Sequence, residues 1–238
     1  MNASSKVAIV TGAARPDGIG WATALALADD GFSVIVTGST EGEVRGAPAH
    51  DWISARHLDV RDDASINALF KGVERIDALV ACAGAARGES EFTPEGFADV
   101  LNVNLTGTMR CCIAARPRLT STGGAIVTVG SMYSLFGSAA VPAYSASKGG
   151  VVQLTKSLAV AWGPQVRVNC VLPGWIRTSM GKRSVDGTGA EAILARTPAA
   201  RFGAPDDLAQ VIRFLCSQQS RFVTGAVIPV DGGYHCSG

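Results

Sequence analysis

The stretch Val7-Ala8-Ile9-Val10-Thr11-Gly12-Ala13-Ala14-Arg15-Pro16-Asp17-Gly18-Ile19-Gly20 runs a β-branched apolar segment straight into a glycine-rich turn. Residues 21–28 behind it have helical composition, so the whole reads strand, turn, helix. Gly12 permits a tight turn, Gly18 lets the backbone approach a pyrophosphate, and Gly20 lets the helix pack on the strand. The helix N-terminus, with Ile19 in its first turn, offers free N–H groups to such an anion. These are the requirements of a dinucleotide-binding turn.

Outward from this turn, short apolar runs at 7–11, 34–37, 78–81, 125–129, 166–171 and 227–230 alternate with longer Ala- and Leu-rich stretches. Strands covered on both faces are apolar throughout, and the alternation predicts a parallel sheet with crossover helices. Thr93-Pro94-Glu95 and Ala204-Pro205-Asp206-Asp207 supply helix starts with Pro and acids in the first turn. Residues 181–189 are polar, Gly-rich and helix-poor, which suggests a mobile lid.

A chain of 238 residues, 47% hydrophobic, suits one well-buried domain. With 21 Lys and Arg against 20 Asp and Glu, the formal charge is +1, and no field of one sign is expected to recruit nucleic acid or an anionic membrane. The partner expected is a small molecule. The N-terminal stretch shows no charged leader with an apolar segment behind it, and no run reaches the length of a membrane span. The six cysteines show no CxxC and no Cys/His spacing for a metal, so they read as buried thiols of a reducing, cytoplasmic compartment.

Tyr144-Ser145-Ala146-Ser147-Lys148 sets a phenol and an ammonium four residues apart, on one face if helical. A free tyrosine ionises at about 10, and a nearby positive charge favours the phenolate. Lys148 is therefore expected to draw Tyr144 toward a working pH as an acid/base. Ser131 follows the apolar run at 125–129, at the strand end where ligands sit in open α/β sheets, and its hydroxyl can bond a carbonyl. Asn104 falls mid-helix, where propensity disfavours an amide, and so has a specific task.

The glycine turn after the first strand, with Tyr-Ser-Ala-Ser-Lys far downstream, resembles the short-chain dehydrogenase/reductase family. Asn104, Ser131, Tyr144 thirteen residues on, and Lys148 stand in the family's order and spacing. The resemblance implies one doubly wound Rossmann-type α/β domain over residues 1–238, with a parallel seven-stranded sheet, helices on both faces and a substrate lid around 179–197. It implies an NAD(P)-dependent oxidoreductase that moves a hydride between the nicotinamide and a secondary alcohol or ketone, with no metal. Tyr144 would move the proton, Ser131 steady the oxygen, Lys148 also hold the nicotinamide ribose, and Asn104 hold a water linked to the lysine.

Further matches bear on the cofactor. Asp59-Val60 matches the family's adenine-contacting pair. Ala81-Cys82-Ala83-Gly84 stands where the family has NNAG, keeping Ala83-Gly84 while the asparagines' hydrogen bonds are made otherwise. Pro173-Gly174-Trp175-Ile176-Arg177-Thr178 matches the family's PGxxxT, in which the Ile176 amide and Thr178 hydroxyl meet the nicotinamide carboxamide, with Trp175 and Arg177 near the substrate. Pro16-Asp17 reads as an insertion, since five residues rather than three separate the first two glycines.

NAD-preferring members carry an Asp after the second strand, but Gly38-Ser39-Thr40 stands there. With no carboxylate to repel a 2′-phosphate, Ser39 and Thr40 can donate to one and Arg15 can pair with it, so NADP is favoured and NAD remains an alternative. Residues 41–54 predict a reduced or missing helix. Residues 197–203 and Asp231-Gly232-Gly233 most resemble the 3-oxoacyl-(acyl-carrier-protein) reductase branch. A catalytically silent cofactor-binding regulator is the alternative; it predicts decay of the site. An enoyl reductase would use a wider Tyr-to-Lys spacing. The resemblance also implies a homo-oligomer, tetramer or dimer, assembled through the helices holding Asn104 and Tyr144.

Overall fold

The computed structural model describes residues 6–237 and is a three-layer α/β sandwich. The first five residues of the N-terminal stretch read for a leader lie outside the described residues. Seven parallel strands lie in the order β3-β2-β1-β4-β5-β6-β7: β1 (Lys6–Val10), β2 (Phe32–Gly38), β3 (Ile53–His57), β4 (Ala78–Ala81), β5 (Ala125–Val129), β6 (Arg167–Pro173) and β7 (Val227–Val230). The chain winds outward from β1 to β3 and returns to place β4 on the other side of β1. That reversal opens a crevice at the C-terminal ends of β1 and β4. All seven residues of β2 and all five of β5 are buried, as strands covered on both faces must be.

β3 is the strand that the apolar runs did not mark. Its sequence Ile-Ser-Ala-Arg-His is half polar because it lies at the sheet edge, beside β2 alone. Preceding it, α2 (Glu41–Gly46) is the expected reduced helix, with Thr40 capping it.

Two apolar slabs sandwich the sheet. On one face α1 (Ile19–Asp29) and α9 (Pro205–Cys216) pack Trp21, Leu27, Leu208, Ile212 and Leu215 against Val10, Val34 and Val127. On the other, α3 (Asp63–Lys71), α5 (Gly107–Thr122) and α6 (Pro142–Trp162) pack Phe70, Cys112, Leu119, Leu158 and Trp162 against Ile9, Leu79 and Ile126. α4 (Pro94–Leu101) starts as read, with Thr93 accepting from Gly96 N–H. Asp207 accepts from Ala204 N–H at 2.7 Å to start α9.

The segment expected to form a lid is more regular than its composition suggests. Residues 181–189 include the short helix α7 (Lys182–Val185), followed by α8 (Ala190–Arg196). Gly181 makes this path possible, since a Cβ there would collide with the Ile176 carbonyl. Among the described residues, no helix is long and apolar enough to cross a membrane.

Candidate active site

Gly12 has φ +63°, and a Cβ on it would lie 2.6 Å from the Ala83 Cα, so only glycine lets the loops after β1 and β4 touch. A Cβ on Gly20 would lie 2.6 Å from the Ala13 Cβ, so its absence lets α1 seat on the turn. Gly18 is the N-cap of α1 and supplies no side-chain cap, which leaves first-turn N–H groups to an external anion. Pro16-Asp17 is absorbed as a turn in which Gly18 N–H donates to the Arg15 carbonyl at 3.2 Å. Arg15 is exposed. Asp17 accepts from the Ser179 N–H at 2.8 Å and so ties the glycine turn to the start of the lid.

Residues 81–84 are held by their backbone from the residue that follows β1. Thr11 Oγ1 accepts from both Cys82 and Ala83 N–H at 3.1 Å. Asn104 is fully buried in a π-helical turn, Asn102–Thr106, between α4 and α5. Its Oδ1 accepts from Ala85 N–H at 2.8 Å, and its Nδ2 donates to Ala85 O and Ser147 Oγ, both at 2.9 Å. The side chain thus ties the loop after β4 to α6, and a π-turn is how a helix re-aims one residue for such a task. Gly84 lies against this group: a Cβ there would be 3.3 Å from Lys148 Nζ and 3.4 Å from Asn104 Oδ1.

Ser131 follows β5 and caps a 3-10 turn, accepting from Tyr133 N–H at 3.2 Å, and its hydroxyl acts on the Tyr144 phenol. Tyr144 and Lys148 share one face of α6, with Lys148 Nζ 5.6 Å from the Tyr144 ring centroid. Lys148 is 3% exposed and donates to Val129 O at 2.7 Å. Asn104, Ser131, Tyr144 and Lys148 are therefore brought together where β4 and β5 end.

The electrostatics of Tyr144 and Lys148 are set chiefly by burial. Burial pushes Tyr144 up to about 12, Ser131's hydrogen bond pulls the other way, and Cys82, Tyr133 and Glu91 add to the rise. Burial also lowers Lys148. Desolvation outweighs the lysine, so the protein's own groups favour the neutral phenol rather than a phenolate near neutral pH.

One correction concerns the end of β2. Glu43, not counted in the sequence reading, turns its Oε2 onto Ser39, accepting from Ser39 N–H at 2.7 Å and from Ser39 Oγ at 3.0 Å. Thr40 Oγ1 accepts from Glu43 N–H at 3.2 Å, which fixes the first turn of α2 and brings the glutamate back. A carboxylate therefore does stand where a 2′-phosphate would be read, on the donors assigned to it.

Asp59 is held below its ordinary value chiefly by Arg61, whose guanidinium bonds both carboxylate oxygens at 3.0 and 2.8 Å. Val60 is buried, packed where a side chain on Gly107 would collide with it. Pro173 ends β6, and Gly174 passes so close to Asp231 that a Cβ would lie 2.6 Å from its Cα. Gly203 N–H donates to Trp175 O and Arg177 N–H to Gly203 O, both at 2.9 Å, which leaves the Ile176 N–H out of that bridge. Thr178 Oγ1 accepts from Gly181 N–H at 3.1 Å.

Two features escaped the sequence reading. Tyr133, Phe136, Tyr234 and Trp175 form a closed ring of edge-on or tilted contacts, with centroids 5.6 to 6.2 Å apart, and Tyr133 also meets Tyr144 at 6.4 Å. Arg196 of the lid lies 4.5 Å over Tyr234, whereas Arg177 stacks on Phe202 instead. The other is Glu91, 1% exposed, whose Oε2 accepts from Tyr144 N–H at 2.9 Å.

A doubly wound sheet with a glycine cradle and a Ser/Tyr/Lys group at its strand ends defines a nicotinamide-dependent oxidoreductase. A family model described as enoyl-(acyl carrier protein) reductase matches residues 12–235, and the chain belongs to this short-chain dehydrogenase/reductase family. It is 37% identical to 3-oxoacyl-(acyl-carrier-protein) reductase of Thermotoga maritima, covering 98% of this chain and 99% of that one. It is also 37% identical to cis-4-hydroxycyclohexanecarboxylate dehydrogenase of Sinomonas cyclohexanicum, over 97% of each. A gluconate 5-dehydrogenase structure from Burkholderia cenocepacia, in complex with NADP and tartrate, superposes with TM-score 0.89 at 29% identity, over 98% of this chain and 96% of that one. The protein is an NAD(P)-dependent oxidoreductase acting on CH–OH groups.

Proposed function

We propose that the protein is an NADP-dependent reductase/dehydrogenase of a ring-bearing secondary alcohol and its ketone, with Tyr144 as the acid/base. The observation that carries this reading is the convergence of Ser131, Tyr144 and Lys148 beside the glycine cradle, with an aromatic wall on the far side of Tyr144. The first turn of α1 and Gly18 would hold the pyrophosphate, Ser39 and Thr40 the 2′-phosphate, Asp59 and Val60 the adenine, and Ile176 and Thr178 the carboxamide. Glu43 on Ser39 is a stand-in for the phosphate and would turn away when it binds. When bound, the cofactor supplies or accepts the hydride.

Tyr144 donates its proton to the ketone oxygen in reduction and takes the alcohol proton in oxidation, while Ser131 donates a hydrogen bond to the same oxygen. Lys148 would hold the ribose hydroxyls, and its charge favours proton release from Tyr144. Asn104 and Ser147 hold the helix against the loop that carries Gly84. Four rings beside the reacting atoms favour an apolar ring over a polyol, and the cyclohexanecarboxylate relative supports that choice. α5 and α6 leave Ile113 54% and Val160 86% exposed, which supports assembly of copies through these helices.

Turnover of NADPH by the purified protein with cyclic ketones, β-keto thioesters, sugars and aromatic aldehydes tests the substrate class. Cyclic ketones are expected to give the highest kcat/KM. A preference for sugars would contradict the reading.

A further inference from the structure

We infer that Glu91 is a positioning residue for Tyr144, a buried carboxylate that fixes the helical turn bearing the phenol and biases where its proton resides. This rests on the reading of Tyr144 as the acid/base.

α6 carries both Tyr144 and Lys148, yet its own start is poorly capped. Its N-cap is Val141, which makes no side-chain cap bond, and its first residue is Pro142, which has no N–H. Ser145 N–H is taken by the Val141 carbonyl at 3.0 Å. The Tyr144 N–H is met from 53 positions away by Glu91 Oε2 at 2.9 Å. The other oxygen, Oε1, accepts from Arg87 N–H at 2.7 Å. A carboxylate at a helix N-terminus is favoured by the helix dipole as well as by the bond.

The carbonyl of the same residue is also held. The Tyr144 carbonyl accepts from Ser147 Oγ at 2.7 Å, and Ser147 in turn accepts from Asn104 Nδ2. Asn104 grips Ala85, in the loop that leads to Arg87 and Glu91. Loop and helix turn thus form one closed circuit of hydrogen bonds around Tyr144. Removing Glu91 would leave two backbone N–H groups without their partner.

Among the described residues, Glu91 has no ion-pair partner. The Arg87 guanidinium turns to Asp99 at 3.1 Å. The groups that bear on the Tyr144 phenol are Ser131, Cys82, Tyr133 and Glu91, with Lys148 on the same helix face. Of these, Cys82, Tyr133 and Glu91 favour the protonated phenol and Ser131 opposes it, and Glu91 is the carboxylate among them.

The test uses the full-length enzyme and compares wild type, Glu91→Gln and Glu91→Asp in alcohol oxidation across pH, with NADPH affinity and melting measured alongside. Gln keeps the shape and removes the charge. Its acid limb is expected to move to lower pH, the direction in which losing a nearby like charge moves an acid, with NADPH affinity unchanged. Asp keeps the charge on a stem one methylene shorter. Its limb is expected to stay, while kcat falls about tenfold, within what a 1 Å misplacement costs.

A folded Gln variant whose pH profile overlays wild type overturns the inference, and so does an Asp variant with wild-type kcat. Should the Gln variant not fold, the Asp variant alone decides through kcat. Tyr144→Phe is run beside them. If that variant keeps its turnover, the reading of Tyr144 fails; if it loses turnover while the Glu91 variants behave as wild type, only the role of Glu91 fails.

Discussion

Replacing Glu43 by Gln should move cofactor preference further toward NADP. Glu43 now holds the N–H and the hydroxyl of Ser39, so a 2′-phosphate using those donors would stand about 4 Å from a carboxylate left nearby. At water's dielectric, two unit charges at that distance repel by about 1 kcal/mol. A phosphate carries roughly 1.5 to 2 charges, so the repulsion is about 1.5 to 2 kcal/mol, or some ten- to thirty-fold in Kd. NADH, which presents a hydroxyl that a carboxylate can accept from, should gain nothing.

Fluorescence titration with NADPH and NADH at low ionic strength reads the ratio directly, and a repeat at high salt should shrink the difference as screening sets in. An NADPH-to-NADH affinity ratio within twofold of wild type at low salt would refute the placement of the phosphate at Ser39.

Gly12→Ala adds a methyl 2.6 Å from the Ala83 Cα at φ +63°. The left-handed backbone costs about 1–2 kcal/mol and the overlap about 1–3 more, so the urea midpoint should fall markedly; an unchanged midpoint would contradict the close approach of the two loops. Burial holds the Cys82 thiol near 11 and those of Cys111 and Cys216 near 12, against an ordinary 9.0, and Tyr144 near 12. These groups keep their protons longer when folded, so their stabilisation is complete below about pH 9 and is lost as pH rises toward 12. The melting temperature should fall steeply over that range, and a Tm level from pH 8 to pH 11 would show that the thiols are not buried as described.

How much of this was legible in the sequence depended on range. The glycine turn was readable because strand, turn and helix are contiguous, and Gly20 answers to a local contact with Ala13, although the contact that Gly12 allows, with Ala83, is distant in sequence. β3 was missed because an edge strand needs only one apolar side, and Ile-Ser-Ala-Arg-His offers no run. Glu43 carried a signal that was not used, the Thr40-x-x-Glu43 spacing of a capping box, which returns a carboxylate to the helix start. Glu91 carried none, since its partner is 53 residues distant and only the packed fold brings them together. The aromatic wall was invisible for the same reason: its rings come from the turn after β5, the segment after β6 and the tail after β7. The phenol's rise likewise depends on desolvation, which spacing alone does not reveal.

The most direct test of the account is Tyr144→Phe, measured for NADPH affinity and for turnover in the same preparation. The phenyl ring keeps the packing against Tyr133 and removes only the proton carrier. NADPH should bind as in wild type while turnover falls at least a hundredfold, the low end of what positioned proton transfer contributes, about 10²–10⁴. Turnover within a few-fold of wild type would contradict the claim that Tyr144 moves the proton.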